Sequence, residues 1–534
     1  RALGPQHPYT ATGLNNLALL LQEQGDYAEA EPLYRRSLEI RERALGPEHP
    51  DTATGLNNLA LLLQAQGEYA EAEPLFRRSL ETFERALGPQ HPDTATGLNN
   101  LAGLLESQGD YAEAEPLYRR SLKIYERALG PTHPNTAMGL NNLAGLLQAQ
   151  GDRAEAEPLY RRSLAIYERA LGPEHPDTAT GLNNLALLLQ EQGDYAEAEP
   201  LYRRSLEICE RALGPEHPET ATSLNNLAGL LQEQGDYAEA EPLYRRSLEI
   251  SERALGPEHP KTAKSLNNLA GLLQAQGDYA QAEPLYRRSL EIRERALGAE
   301  HPDTAGSLCN LALLLQEQGD YAEAEPLYRR SLETFERALG PQHPATAESL
   351  NNLAGLLESQ GDYAEAEPLY RRSLEIRERA LGAEHPSTAR SLNNLALLLQ
   401  AQGEYAEAEP LFRRSLEIRE RALGPQHPDT ATGLNNLAGL LESQGDYAEA
   451  EPLYRRSLET FERALGPQHP YTATGLNNLA GLLESQGDYA QAELLYRRSL
   501  RSTSARFGDQ SEEAGQILWA LAPVLEQLGR IDEA

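Results

Sequence analysis

The sequence predicts an all-α fold, a solenoid of antiparallel helix pairs, and three observations carry that prediction. The letters LNNLA at residues 14–18 return at 56, 98, 140, 182, 224, 266, 350, 392, 434 and 476, and as LCNLA at 308, so the chain repeats every 42 residues. Within each copy the apolar residues recur at helical spacing, as in Leu14, Leu17, Ala18 and Leu21. A glycine, Gly25 in the first copy, recurs at a fixed place where the first helix should end. A unit of this size is one helix pair that buries its apolar face only by stacking on its neighbours, so the array reads as one elongated domain rather than several globular ones. Twelve complete units start at 2, 44, 86, 128, 170, 212, 254, 296, 338, 380, 422 and 464 and run to 505. Residues 506–534 form a degenerate, truncated thirteenth.

Each element of the unit has a local cause. His7-Pro8 opens the first helix, with proline in its first turn and His7 or Thr10 near the cap. Leu14, Leu17, Ala18 and Leu21 share one face, and the small Ala18 lets a neighbouring helix approach closely. Gly25 ends that helix, and Asp26-Tyr27-Ala28-Glu29 has the form of a capping box that starts the second. Tyr27, Ala30, Tyr34, Ser37, Leu38 and Ile40 form the buried stripe of the second helix. Pro32 removes one backbone hydrogen bond and bends it early. Glu31, Arg35, Glu39 and Arg43 alternate in sign four apart, a solvated ladder worth tenths of a kcal/mol per pair.

Composition excludes several functions. The formal net charge of -33 is spread evenly along the units, a field that repels phosphate backbones and anionic lipid. Nucleic acid and membrane are therefore excluded as partners, and no apolar stretch reaches transmembrane length. The 2 cysteines, Cys209 and Cys309, stand at unrelated repeat positions, form no disulfide framework and fit a reducing, cytoplasmic location. The 12 histidines recur once per unit, too far apart for one zinc ion, whose ligands lie about 2 Å away while adjacent repeats are roughly 8–10 Å apart. No metal, no cofactor and no catalytic residue is expected, since any triad would recur in identical surroundings and no Gly-rich phosphate loop is present. The chain opens inside a repeat, and residues 529–534 align with 487–492, so it reads as a fragment of a longer protein.

The order Leu17-Ala18, Gly25, Tyr27, Ala30, Tyr34, Ser37 resembles the tetratricopeptide repeat, with its large and small packing positions in sequence. The 42-residue unit and the phrase Ala44-Leu45-Gly46-Pro47-Glu48-His49-Pro50 resemble the kinesin light chain subtype, also abundant in bacterial multidomain proteins. The resemblance covers essentially the whole chain. It implies a right-handed superhelix whose first helices line a concave groove for extended peptides, and a non-enzymatic scaffold that forms the sensor or partner-binding part of a larger protein. A structural or self-assembling array, or a spacer, is the alternative.

Paired asparagines inside an apolar helix need a reason, because a buried amide left unpaired costs about 1–3 kcal/mol. At 100° per residue, Thr12, Asn15, Leu19, Gln22 and Glu23 fall on the groove arc, and Asn16 falls at the helix–helix seam. The first asparagine is therefore the candidate ligand contact: Asn15, Asn57, Asn99, Asn141, Asn183, Asn225, Asn267, Asn351, Asn393, Asn435 and Asn477, with Cys309 as the missing rung. The second is assigned a structural role. Units differ mainly on the groove arc, where Thr12 becomes Met138, Lys264, Gly306, Glu348 or Arg390 and Leu19 alternates with Gly103 and Gly145. Residues 65–80 recur letter for letter at 401–416, a sign of growth by duplication and of a lightly specified ligand. The basic groove with which kinesin light chain takes acidic cargo is absent; only Lys264 and Arg390 supply cations on this arc, so a neutral or basic protein segment is the expected partner.

Overall fold

The protein is described as a computed structural model covering residues 6–507 and 511–530, so the start assigned at Ala2 and residues 531–534 lie outside the description. Twenty-five α-helices, α1–α25 in chain order, follow one another, with no strand among the described residues. The expected all-α solenoid of helix pairs is what forms, first helices of 16–17 residues alternating with second helices of 18–19. Pairs such as α1 (Pro8–Glu23) with α2 (Tyr27–Leu45), α3 (Pro50–Ala65) with α4 (Tyr69–Leu87) and α13 (Pro260–Ala275) with α14 (Tyr279–Ala296) pack together, and each second helix of these packs on the next first helix. Two compact units are present. One comprises residues 1–190, 196–230 and 237–356; the other comprises 191–195, 231–236 and 357–534.

The second repeat shows how the local chemistry works. Helix α3 (Pro50–Ala65) starts at His49, whose Nδ1 accepts the Asp51 N–H at 3.1 Å, with Pro50 at the position that needs no hydrogen-bond donor. Thr52 Oγ1 donates to the Gly46 carbonyl at 2.8 Å and fixes the incoming loop. At its far end Gly67 takes φ +78, and the N–H groups of Gly67 and Glu68 close back on the Gln64 and Leu63 carbonyls, satisfying the last turn. Helix α4 (Tyr69–Leu87) then returns and runs through Pro74 without interruption. Its Ser79 donates to the Ala53 carbonyl at 2.8 Å, and Ser121 repeats that bond to Ala95 at 2.7 Å, tying each pair together inside the core.

The expected capping aspartate forms its side-chain bond only in some repeats. Asp152, Asp278, Asp320 and Asp362, with ψ of 65–67°, accept the N–H three residues on; Asp26 and Asp110, with ψ of 57–59°, do not. A few degrees of backbone turn the carboxylate away from its donor.

Leu56, Leu59, Ala60, Leu62 and Leu63 of α3 and Ala72 and Phe76 of α4 are all buried, and the two helices pack on each other. Leu17 in helix α1 (Pro8–Glu23) was expected in the core but is 47% exposed, whereas its counterpart Leu59 in α3, on which α2 packs, is buried. The charge ladder also extends beyond one helix. Arg77 meets Glu73 in its own helix and Glu113 in the next repeat, both at 2.9 Å, and Arg119 meets Glu155 at 2.8 Å. These pairs are half exposed and each contributes only tenths of a kcal/mol.

Candidate functional site

The outward side of the first helices is a stripe of four positions. In α3, Thr54 and Leu61 are exposed and Asn58 and Ala65 half-buried, spaced four, three and four residues apart on one face. Where the position of Leu61 is leucine it stays open to solvent in the first unit, Leu61 being 37% exposed and Leu187 and Leu313 each 44%; Gly103, Gly145, Gly229 and Gly271 stand there in other copies. Lys264 and Arg390 are exposed at the place of Thr54 in their own repeats, where the sequence put them.

In five repeats the first asparagine is the more covered of the two, and in six both are half-buried. Asn15, Asn57, Asn99, Asn351 and Asn393 are buried, while Asn141, Asn183, Asn225, Asn267, Asn435 and Asn477 are half-buried. The second asparagine, expected at the seam, borders the exposed stripe. Its amide reaches back to the first asparagine of the preceding repeat: Asn58 Nδ2 donates to Asn15 Oδ1 at 3.0 Å, Asn100 to Asn57 at 2.9 Å, and Asn142 to Asn99 at 3.0 Å. The bond recurs between Asn184 and Asn141, Asn310 and Asn267, Asn436 and Asn393, and Asn478 and Asn435. First helices of adjacent repeats lie side by side, so the flank carrying the first asparagine is covered by its neighbour. Angular position within one helix does not contain that information.

At the LCNLA repeat Cys309 keeps a place in this row. Its thiol lies 3.0 Å from Ser331 Oγ and also meets Asn352, and burial raises its pKa. Cys209 is likewise buried and unoxidised. Among the described residues no group of three His, Cys, Asp or Glu could hold a metal ion, and no helix is long and apolar enough to cross a membrane.

Beside the stripe, the buried tyrosine of the second helix bonds a side chain from the first. Tyr118 donates to Glu106 Oε2 at 2.8 Å; in sister repeats Tyr160 and Tyr286 donate to Gln148 and Gln274 at 3.0 and 2.9 Å. Burial raises the pKa of Glu106, so its ionised form weakens the fold above that pKa, and the penalty disappears as pH falls to the unfolded value. Glu106→Gln keeps the bond and removes the buried charge. It should raise stability by about 0.5–1 kcal/mol at neutral pH, with no gain near pH 4, measured by denaturant unfolding.

Two features escaped the sequence reading. The buried stripe of the second helix includes the residue after Ile40: Arg41 here, Phe83, Tyr125 and Tyr167 in the next three copies. Aligning the copies would have exposed it as a position that is buried yet chemically variable. The histidines carry the second feature. Within the first unit His259 and His301 reach the carbonyls of Glu23 and Ala65, at 3.3 and 3.2 Å, 236 residues earlier in the chain.

The family described as tetratricopeptide repeat matches residues 9–85, 51–127, 93–169, 135–203, 177–252, 219–295, 262–337, 303–379, 350–421, 387–461 and 429–505. Among curated proteins none matches. Among solved structures, the crystal structure of BtubC (BKLC) from P. vanneervenii is 26% identical over 41% of this chain and 86% of its own, with a TM-score of 0.35. The nearly identical TPR-like repeats of a kinesin light chain from Podosopora anserina are 26% identical over 39% of this chain and 98% of theirs, with a TM-score of 0.34.

Proposed function

Because the chain belongs to the tetratricopeptide repeat family, generally a protein-interaction or scaffold fold, we propose that it is a non-enzymatic scaffold holding extended protein segments along the stripe formed by its first helices. The observation that supports this reading is the set of leucines left open to solvent at one fixed position, Leu61, Leu187 and Leu313, in helices whose other leucines are all buried; sister copies carry glycine there, as at Gly103 and Gly145. An extended chain advances roughly 3.3 Å per residue, so helices packed roughly 8–10 Å apart would meet about every third ligand residue. The asparagine rows are proposed to hold the stripe in register rather than to grip the ligand, which the Asn58–Asn15 type of bond supports. Lys264 in the first unit and Arg390 in the second are its only cationic positions among the described residues, and the acidic surface around them favours neutral or basic segments.

Replacing Leu187 and Leu313 with aspartate tests the reading. Affinity for a fluorescent basic peptide, followed by polarisation, should fall about tenfold or more while melting stays nearly unchanged, since each leucine is already partly hydrated. Undiminished binding would remove the stripe as the recognition surface, and concentration-dependent light scattering without peptide binding would favour the self-assembling array.

A further inference from the structure

Between the sixth and seventh repeats lies a cavity of about 280 Å³, bounded by helices α11 (Pro218–Gln234), α12 (Tyr237–Ala254) and α13 (Pro260–Ala275). Its cause is one residue. Ser251 occupies the variable buried position of its second helix, where other repeats place the rings of Phe83, Tyr125, Tyr167, Phe335 and Phe461. Where the ring is Tyr125 its hydroxyl lies 2.8 Å from Thr96 Oγ1, and the counterpart of Thr96 is Thr222, which lines the cavity. The array thus contains repeated examples of a six-membered ring filling this space, and the sixth repeat leaves it open.

The lining combines apolar groups, Ala221 and Leu255 among them, with a set of hydrogen-bonded polar side chains. Asn225 Nδ2 donates to Ser265 Oγ at 3.3 Å, Ser265 and Ser251 hydroxyls are 3.2 Å apart, and Ser251 donates to the Ser247 carbonyl at 2.9 Å. That relay leaves Asn225 Oδ1 buried with no donor. Two of the chain's three lysines, Lys261 and Lys264, stand exposed at the cavity's edge with Glu219. The corresponding place one repeat earlier, beside Cys209, has Glu219 and Thr222 in place of the lysines.

We propose that this cavity binds a single-ring hydroxylated aromatic carboxylate, of the hydroxybenzoate class. The ring takes the space that phenylalanine and tyrosine fill elsewhere, its hydroxyl donates to Asn225 Oδ1, and its carboxylate faces the lysine ammonium groups. The size is adequate, since a cavity of roughly 150 Å³ already accepts benzene. A guanidinium guest is the competing chemistry, because Arg293 fills the same place in the next repeat and donates to the Asp303 carbonyl and to Ser307 Oγ, both at 2.8 Å. Two ammonium groups at the edge oppose it.

Titration calorimetry of the intact chain with 4-hydroxybenzoate and with ethylguanidinium decides the matter. Saturable binding of one 4-hydroxybenzoate per chain is expected. Ser251→Tyr should fill the cavity, abolish the heat of binding and leave melting equal or higher, as a ring does in sister repeats. A Lys261→Asp, Lys264→Thr variant recreates the Asp93 and Thr96 pair of the third repeat, so it should fold unchanged and bind about tenfold more weakly. No binding by the unaltered chain, equal binding by Ser251→Tyr or by the double variant, or preference for ethylguanidinium would each overturn the proposal.

Discussion

Acidification from about pH 7.5 to about pH 5 should lower the melting temperature of the unaltered chain by several degrees more than that of a variant carrying His259→Asn, His301→Asn and His343→Asn. Each ring is locked in its neutral form from both sides. Nδ1 of His301 accepts the Asp303 N–H at 3.0 Å, which leaves the hydrogen on Nε2 to donate to Ala65. His259 does the same with Lys261 and Glu23, and His343 caps Ala345 and bonds the backbone of Ser107. A second proton would have to displace the cap, and burial lowers the pKa of all three. Nearby charges divide: Asp26 and Asp303 raise the values, Lys261 and Arg293 lower them, and desolvation outweighs both.

The sign follows from linkage. A folded pKa below the unfolded value of about 6.5 means that stability is present above about pH 6.5 and is lost as pH falls through the depressed folded pKa. Each site can lose a cap and a hydrogen bond, about 1 kcal/mol apiece, so three sites together give the largest pH effect expected of this chain. Glu106, Glu358 and Glu442 move the other way, because burial raises their pKa and protonation relieves them. The difference between the two proteins, not the raw curve, is therefore the quantity to read. Asparagine retains the cap but not the ring contact. A variant with the same pH slope as the unaltered chain would show that the histidines do not titrate against the fold.

The same residue shows how far the sequence could be read. That His-Pro opens a helix is local chemistry: a side-chain acceptor, a proline without a donor, and an apolar run after them. That the ring also packs against Gly67, where an added Cβ would lie 3.1 Å from His301 Cδ2, depends on residues more than two hundred positions apart, and no short-range pattern records it. The repeat period, the alternation of helices and the turn glycines were legible because each copy states them again. Which asparagine is buried was not, since neighbours on one helix differ by only 100° and the adjacent repeat chooses between them. The cavity at Ser251 was not legible, since other copies carry rings, arginines and a cysteine at that position, and it became a site only once Thr222, Lys261 and Lys264 were found around it.

The most direct test of the account is the substitution Asn57→Ala, Asn99→Ala, Asn141→Ala, with stability and peptide affinity measured on the same protein. Each change removes an acceptor that the next repeat uses: Asn100 at 2.9 Å, Asn142 at 3.0 Å and Asn184 at 3.1 Å. It also strands a donor in a largely buried seam, at about 1 kcal/mol or more per site. Asparagines that hold the first helices in register predict a denaturation free energy lower by about 3 kcal/mol, with affinity for the basic peptide unchanged at temperatures well below melting. Weakened binding with unchanged stability would contradict that account and make the first asparagines the ligand contacts themselves.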